Sequence, residues 1–163
     1  MIHLEPYTCE LVHQFYQRFH VDSLIYERDD DVKPFAYSPQ FADQYYTNKV
    51  CDPSRIYFAI MLGEQVIGEI CLKRIDEQRT HGTLSIQLQQ DQVKNKGYGT
   101  IAEQLLIQYA FEEMHLKRIY ADTIHRNHRS QRVLEKLGFR FTHQDAMLRY
   151  YELSNPLLPI SES

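Results

Sequence analysis

Behind Thr8, apolar side chains recur at Leu11, Val12, Phe15, Tyr16 and Phe19. This is the three-and-four spacing of one helix face, with Thr8 placed to cap its first turn. The pattern breaks up from Asp22 to Ser38, around Glu27, Asp29, Asp30, Asp31 and Pro34, and a short second helix is predicted from Pro39 to Asn48. Two β-rich runs follow, Ile56 to Leu62 and Gln65 to Ile75, separated by Gly63-Glu64. Glycine at the first turn position predicts a type II′ hairpin. From Thr83 to Gln89, Leu84, Ile86 and Leu88 alternate with Ser85, Gln87 and Gln89, the period of a strand with one polar face. A long amphipathic helix is then expected, with Ile101, Ala102, Leu105, Leu106, Tyr109 and Ala110 as its apolar stripe. Arg118 to Ile124 reads as a strand, Arg129 to Leu137 as a helix stopped by Gly138, and Met147 to Leu153 as a last strand. The order predicts an α/β (α+β) chain with a mixed sheet.

A chain of 163 residues fits one domain, expected over residues 1–154, with a loose tail over 155–163 that carries Pro156 and Pro159. Its 43% hydrophobic residues, including 8 Phe and 12 Tyr, suffice for a core without disulfides or a structural metal. The formal charge of −4 removes the general positive field that draws proteins to nucleic acid. Cys9, Cys51 and Cys71 are odd in number and widely spaced, which suits reduced thiols in the cytoplasm better than a disulfide framework. The longest apolar run, Ile56 to Leu62, falls short of the roughly 18 residues of a membrane span, and Glu5 and Glu10 interrupt any signal-peptide pattern. No membrane association and no processing are expected.

Chemistry is concentrated in Lys94-Asn95-Lys96-Gly97-Tyr98-Gly99-Thr100, a glycine turn that runs straight into a helix. Such a turn gathers unpaired backbone N–H groups at the positive end of the helix dipole, where a diphosphate can be held. Gly97 and Gly99 leave the main chain bare, and Lys94 and Lys96 add charge. A plain tight turn has the same letters. The third glycine of a dinucleotide fingerprint and the Gly-Lys-Ser/Thr ending of a P-loop are both missing.

This loop, with Asn127-His128-Arg129-Ser130 and Val133-Leu134-Glu135-Lys136-Leu137-Gly138-Phe139 beyond the next strand, resembles the GCN5-related N-acetyltransferase (GNAT) family, and within it the ribosomal-protein N-acetyltransferase-like members. The resemblance runs from about Ile56 to Leu153. It implies a mostly antiparallel sheet flanked by helices with splayed central strands, and acetyl-CoA as cosubstrate. It also implies direct transfer of the acetyl group to an amine in a ternary complex, so that Cys71 is not a nucleophile. Carried over residue by residue, Lys94, Asn95, Lys96, Gly97, Tyr98, Gly99 and Thr100 would hold the diphosphate. Gln87, Leu88 and Gln89 would pair with the pantetheine arm, and Asn127 and Ser130 would contact it. Asn127 is equally a helix cap.

Two departures stand out. Leu134 occupies the place of the tyrosine that protonates the departing thiolate in many members, which leaves Ser130 or Tyr150 as substitutes; Ser130 is alternatively a solvated or capping hydroxyl. Thr83 occupies the place of an acidic base, which leaves Glu69, unless Glu69 is an ordinary surface glutamate. Only a neutral amine attacks a thioester. Deprotonating a lysine-like amine at pH 7 costs about 4 to 5 kcal/mol, an α-amine about 1. A missing base would therefore favour α-amines, or a proton path relayed by water. The acidic run Glu27 to Asp31 either faces a cationic acceptor or is a solvated loop.

Other features carry less. His125, His128 and His115 lack a cysteine or carboxylate to complete a tetrahedral set, so no metal is expected. The basic stretch Lys117, Arg118, Arg126, His128, Arg129, Arg132 fits CoA phosphates more simply than RNA. A non-catalytic acyl-CoA sensor on the same fold is the alternative function. Expected partners are a small-molecule or peptide amine and, as a further candidate, a second copy of the chain.

Overall fold

The computed structural model describes residues 1–21, 33–90, 93, 94 and 96–158. The acidic run at Glu27, Asp29, Asp30 and Asp31, and Asn95, lie outside the described residues. Among the described residues seven strands and four α-helices follow one another as β1 (Ile2–Pro6), α1 (Cys9–Gln17), α2 (Pro39–Tyr45), β2 (Ile56–Leu62), β3 (Gln65–Lys73), β4 (His81–Leu88), α3 (Tyr98–Glu112), β5 (Arg118–Ile124), α4 (His128–Lys136), β6 (Arg140–Gln144) and β7 (Leu148–Ser154). The strands form one sheet in the order β1-β2-β3-β4-β5-β7-β6. Every neighbouring pair is antiparallel except β4 and β5, which are parallel.

The caps form as their residues dictate. The Thr8 hydroxyl accepts from Leu11 N and the Ser38 hydroxyl from Phe41 N, with Pro39 in the first helical position of α2. The second helix is shorter than expected, because a turn of π-helix takes over at Tyr46–Val50. In the β2–β3 hairpin Gly63 has φ 61° and Glu64 stays out of the left-handed region, as a type II′ turn requires.

The sheet buries both faces. One packs on α3 and α4 through Ile60, Ile70, Leu72, Leu84, Leu106, Ile119 and Tyr151; the other packs on α1 and α2 through Ala59, Met61, Val12, Phe15, Tyr16 and Ala42. Strands β1 and β6 were not legible in the hydrophobic pattern. All five β6 residues are exposed, so no period could mark them. The buried face of α3 also differs from the expected stripe: Ile101 and Tyr109 are exposed, while Glu103 is buried. Apolar residues surround so much of this helix that the pattern could not select a face. Asn155, expected to open a loose tail, is instead buried, with its Nδ2 donating to Leu116 O at 2.8 Å. Among the described residues no helix is long and apolar enough to cross a membrane.

Candidate active site

Strands β4 and β5 pair only at His81–Thr83 with Arg118–Tyr120. Beyond Thr83 they diverge. Their divergence opens a cavity of about 210 Å³ between β4, the start of α3 and the start of α4. Ile86, Gln87 and Leu88 line it from β4, Gly97, Gly99, Thr100 and Glu103 from the loop and α3, and Asn127, Arg129 and Ser130 from α4. Residues separated by about forty positions thus meet at one fork.

Gly97 caps α3 with φ 80° and ψ 0°, a left-handed conformation natural to glycine. A Cβ there would meet nothing within 4 Å, so the approach to its backbone is open. The N–H groups of the first turn have no acceptor within the helix, and they lie with its positive dipole end where Gly97, Gly99 and Thr100 line the cavity. Lys94 is buried on the cavity wall and Lys96 is exposed. This is a donor set for a diphosphate, and the parted β4 edge behind it suits an extended amide-bearing arm, so these residues fit acetyl-CoA.

Residues 3–140 match the acetyltransferase (GNAT) domain. The chain belongs to the GNAT acetyltransferase family. A 47-residue stretch is 45% identical to the uncharacterized N-acetyltransferase YnaD of Bacillus subtilis (strain 168), a match that covers 29% of this chain and 28% of that protein. The same fold occurs in the spermidine N-acetyltransferase of Vibrio cholerae solved with CoA and spermine (TM-score 0.74, 14% identity, 94% of this chain and 95% of that one). It occurs also in the Campylobacter jejuni N-acetyltransferase PseH solved with acetyl coenzyme A (TM-score 0.68, 20% identity, 94% and 99%).

Within this GNAT domain Glu69 is no surface glutamate: it is 3% exposed, at the centre of a ring of hydroxyls. Tyr16 donates to its Oε1 at 2.6 Å, Tyr45 to Oε1 and Oε2 at 2.9 and 3.0 Å, and Gln87 Nε2 to Oε1 at 2.7 Å. Burial pushes its pKa up, and these hydrogen bonds pull part of the way back. The phenols respond in kind. Burial, and then the neighbouring carboxylate, raises Tyr7, Tyr16 and Tyr45 far above the ordinary tyrosine range, so they stay neutral. Tyr16 is held by edge contacts to Phe15, Phe41 and Tyr45 and a tilted one to Phe35, with ring centroids 4.8 to 5.3 Å apart. Because Gln87 lines the cavity and also binds Glu69, it connects the cavity to the carboxylate.

The remaining candidates separate. Gln89 does not reach the cavity: its N–H donates to Ile67 O at 2.7 Å, its carbonyl accepts from His20 N at 2.8 Å, and its side chain donates to Phe15 O at 3.0 Å. Its backbone ties it to β3 and to His20, and its side-chain amide N–H to α1. Asn127 caps α4, its Oδ1 accepting from Ser130 N at 3.1 Å, and both residues border the cavity. Tyr150 lies on β7, outside the cavity lining, where its hydroxyl donates to Asp145 at 2.7 Å and its ring stacks on His143. That hydrogen bond, ahead of burial, raises its pKa. The Cys71 thiol is buried and pushed up to about 11, which keeps it protonated at neutral pH.

Four participants escaped the sequence reading. Tyr16 counted only as an apolar stripe position, and Tyr45 and Tyr7 had no pattern at all. Glu103 sat on the expected polar side of α3; burial raises its carboxyl to about 7, and its Oε2 has no hydrogen-bond partner. With its carboxyl raised to about 7, the group is only partly ionised at neutral pH and would repel a bound phosphate less than an ordinary carboxylate.

Proposed function

We propose that this protein transfers the acetyl group of acetyl-CoA to a primary amine, by direct attack within a ternary complex. The observation that carries the proposal is the fork of β4 from β5 opening onto the bare main chain of Gly97 at the start of α3. Acetyl-CoA supplies an activated thioester; the chain supplies position and proton transfer. The loop and α3 N-terminus hold the diphosphate, the free edge of β4 aligns the arm, and Asn127 and Ser130 close the cavity from α4.

Glu69 is the base in this account. Its raised pKa matches it better than an ordinary carboxylate to an amine proton. Since the carboxylate is sealed from solvent, the proton travels through a neutral hydroxyl: Tyr45 passes its own proton to Glu69 and takes up the one from the amine. Tyr57 extends the chain, 3.1 Å from Tyr45 hydroxyl to hydroxyl. With such a base the preference for α-amines no longer follows, and polyamines and lysine-like amines stand beside peptide N-termini, including those of ribosomal proteins. Ser130 is the group at the cavity best placed to protonate the departing thiolate.

The test is release of free thiol from acetyl-CoA in the presence of polyamines, peptides with free N-termini and aminoglycosides. Turnover with one of these classes, dependent on Glu69, is expected. Binding of acetyl-CoA without thiol release on the whole panel would reject catalysis in favour of a sensor.

A further inference from the structure

On the outer side of α1 and α2, away from the cavity lining, Cys9, His13 and Asp43 bring their ligand atoms within 4.8 Å of one another. We propose that these three residues bind a divalent transition metal of the zinc class and staple α1 to α2. Cys9 and His13 stand four residues apart on α1, hence on one face of the helix, while Val12, Phe15 and Tyr16 turn to the core. Asp43 faces them from α2, beside the buried Ala42. The donors are one sulfur, one nitrogen and one oxygen, a set that suits zinc rather than magnesium or calcium.

The distances fit. With Zn–S about 2.3 Å and Zn–O about 2.0 Å, tetrahedral geometry sets sulfur and oxygen about 3.5 Å apart; Cys9 Sγ and Asp43 Oδ1 are 3.6 Å apart. His13 Nε2 lies 2.8 Å from the same oxygen, a hydrogen-bond length that must open to about 3.3 Å around a metal. The Asp43 side chain is 66% exposed and can make that move, and its exposure also gives the ion its entry path. The other ring nitrogen, Nδ1, is 2.6 Å from the Tyr37 hydroxyl. That contact lets His13 carry its proton on Nδ1 and turn the Nε2 lone pair to the metal, the outer partner that ligating histidines ordinarily have.

Binding forms Zn–S, Zn–N and Zn–O bonds, releases the Cys9 thiol proton to solvent and replaces the His13–Asp43 hydrogen bond; a water completes four ligands. The staple joins the two helices that hold Tyr16 and Tyr45 against Glu69. It does not depend on the acetyltransferase proposal, since it is read by metal binding alone.

The test uses the full chain, kept reduced with a phosphine, titrated with Zn²⁺ and separately with Co²⁺. One ion per chain is expected, and cobalt should give a thiolate-to-metal charge-transfer band that Cys9→Ser removes. His13→Ala should abolish stoichiometric binding, and Tyr37→Phe should weaken it about 10-fold or more. Zinc at hundredfold excess over its Kd should raise Tm by about 5 to 10 °C, and not in the variants. Cys9 and His13 lie outside the two core clusters, and Tyr37→Phe keeps the ring that packs against one of them, so circular dichroism can verify that each variant is folded. No stoichiometric ion in the wild-type chain, or equal binding in the folded Cys9→Ala/His13→Ala double variant, overturns the site and leaves His13–Asp43 a surface pair.

Discussion

Replacing Glu103 with glutamine should stabilise the protein, and more so as pH rises. The Glu103 carboxyl is 6% exposed, its Oε2 lacks a partner, and burial alone raises it from 4.5 to about 7. At about 1.4 kcal/mol per pKa unit, ionising it in the folded protein costs about 3 kcal/mol more than in the unfolded chain. The sign follows from proton counts. Between the two pKa values the folded protein retains a proton that the unfolded chain has lost, so stability falls as pH climbs through that window and levels off above it. Glutamine cannot ionise and escapes the fall. Urea unfolding of both proteins at about pH 5 and about pH 8 should show the variant's advantage growing by roughly 2 kcal/mol between them. Glu69 titrates in the same sense in both proteins and cancels in the difference. An advantage that does not change with pH would refute the assignment of a buried, unpaired carboxyl at this position.

Three further outcomes are expected. Gly97→Glu sets bulk in a left-handed position and negative charge at the diphosphate cradle, so calorimetry should detect no acetyl-CoA binding; unchanged affinity would remove the loop from the site. Glu69→Gln keeps the shape but not the base, so kcat with a lysine-like or polyamine acceptor should fall about 10² to 10⁴-fold while acetyl-CoA affinity holds. In the wild type, activity should rise with pH through a group above the ordinary carboxylate range, and this limb should vanish in the variant. Gly68→Ala places a Cβ 2.9 Å from both Gln87 O and Ile60 Cδ1, so β4 must shift at the residue that connects the cavity to Glu69. A loss of about 1 to 3 kcal/mol in denaturant unfolding is expected, and an unaffected midpoint would count against so close an approach.

The elements that sequence determined are those whose cause is local. Thr8 and Ser38 cap helices because their hydroxyls reach an N–H three residues on. Gly63 and Gly138 turn the chain because glycine accepts positive φ. The glycine loop adjoins a helix N-terminus because the two are contiguous in the chain, so this bare-backbone turn, to which we assign the diphosphate, was legible with no tertiary information. The fully exposed strand β6 left no trace, since it has no buried face to impose a period.

What only the folded chain decided is every property that depends on residues distant in sequence. Glu69 becomes a buried, hydroxyl-ringed carboxylate because α1, α2 and β4 converge on it from 53, 24 and 18 residues away. Gln89, just past the end of β4, is instead engaged by the backbone of α1, its side chain donating to Phe15 O. Pattern assigns a face to a side chain, but the dielectric around a carboxylate, and hence its charge and its chemistry, is set by what packs over that face.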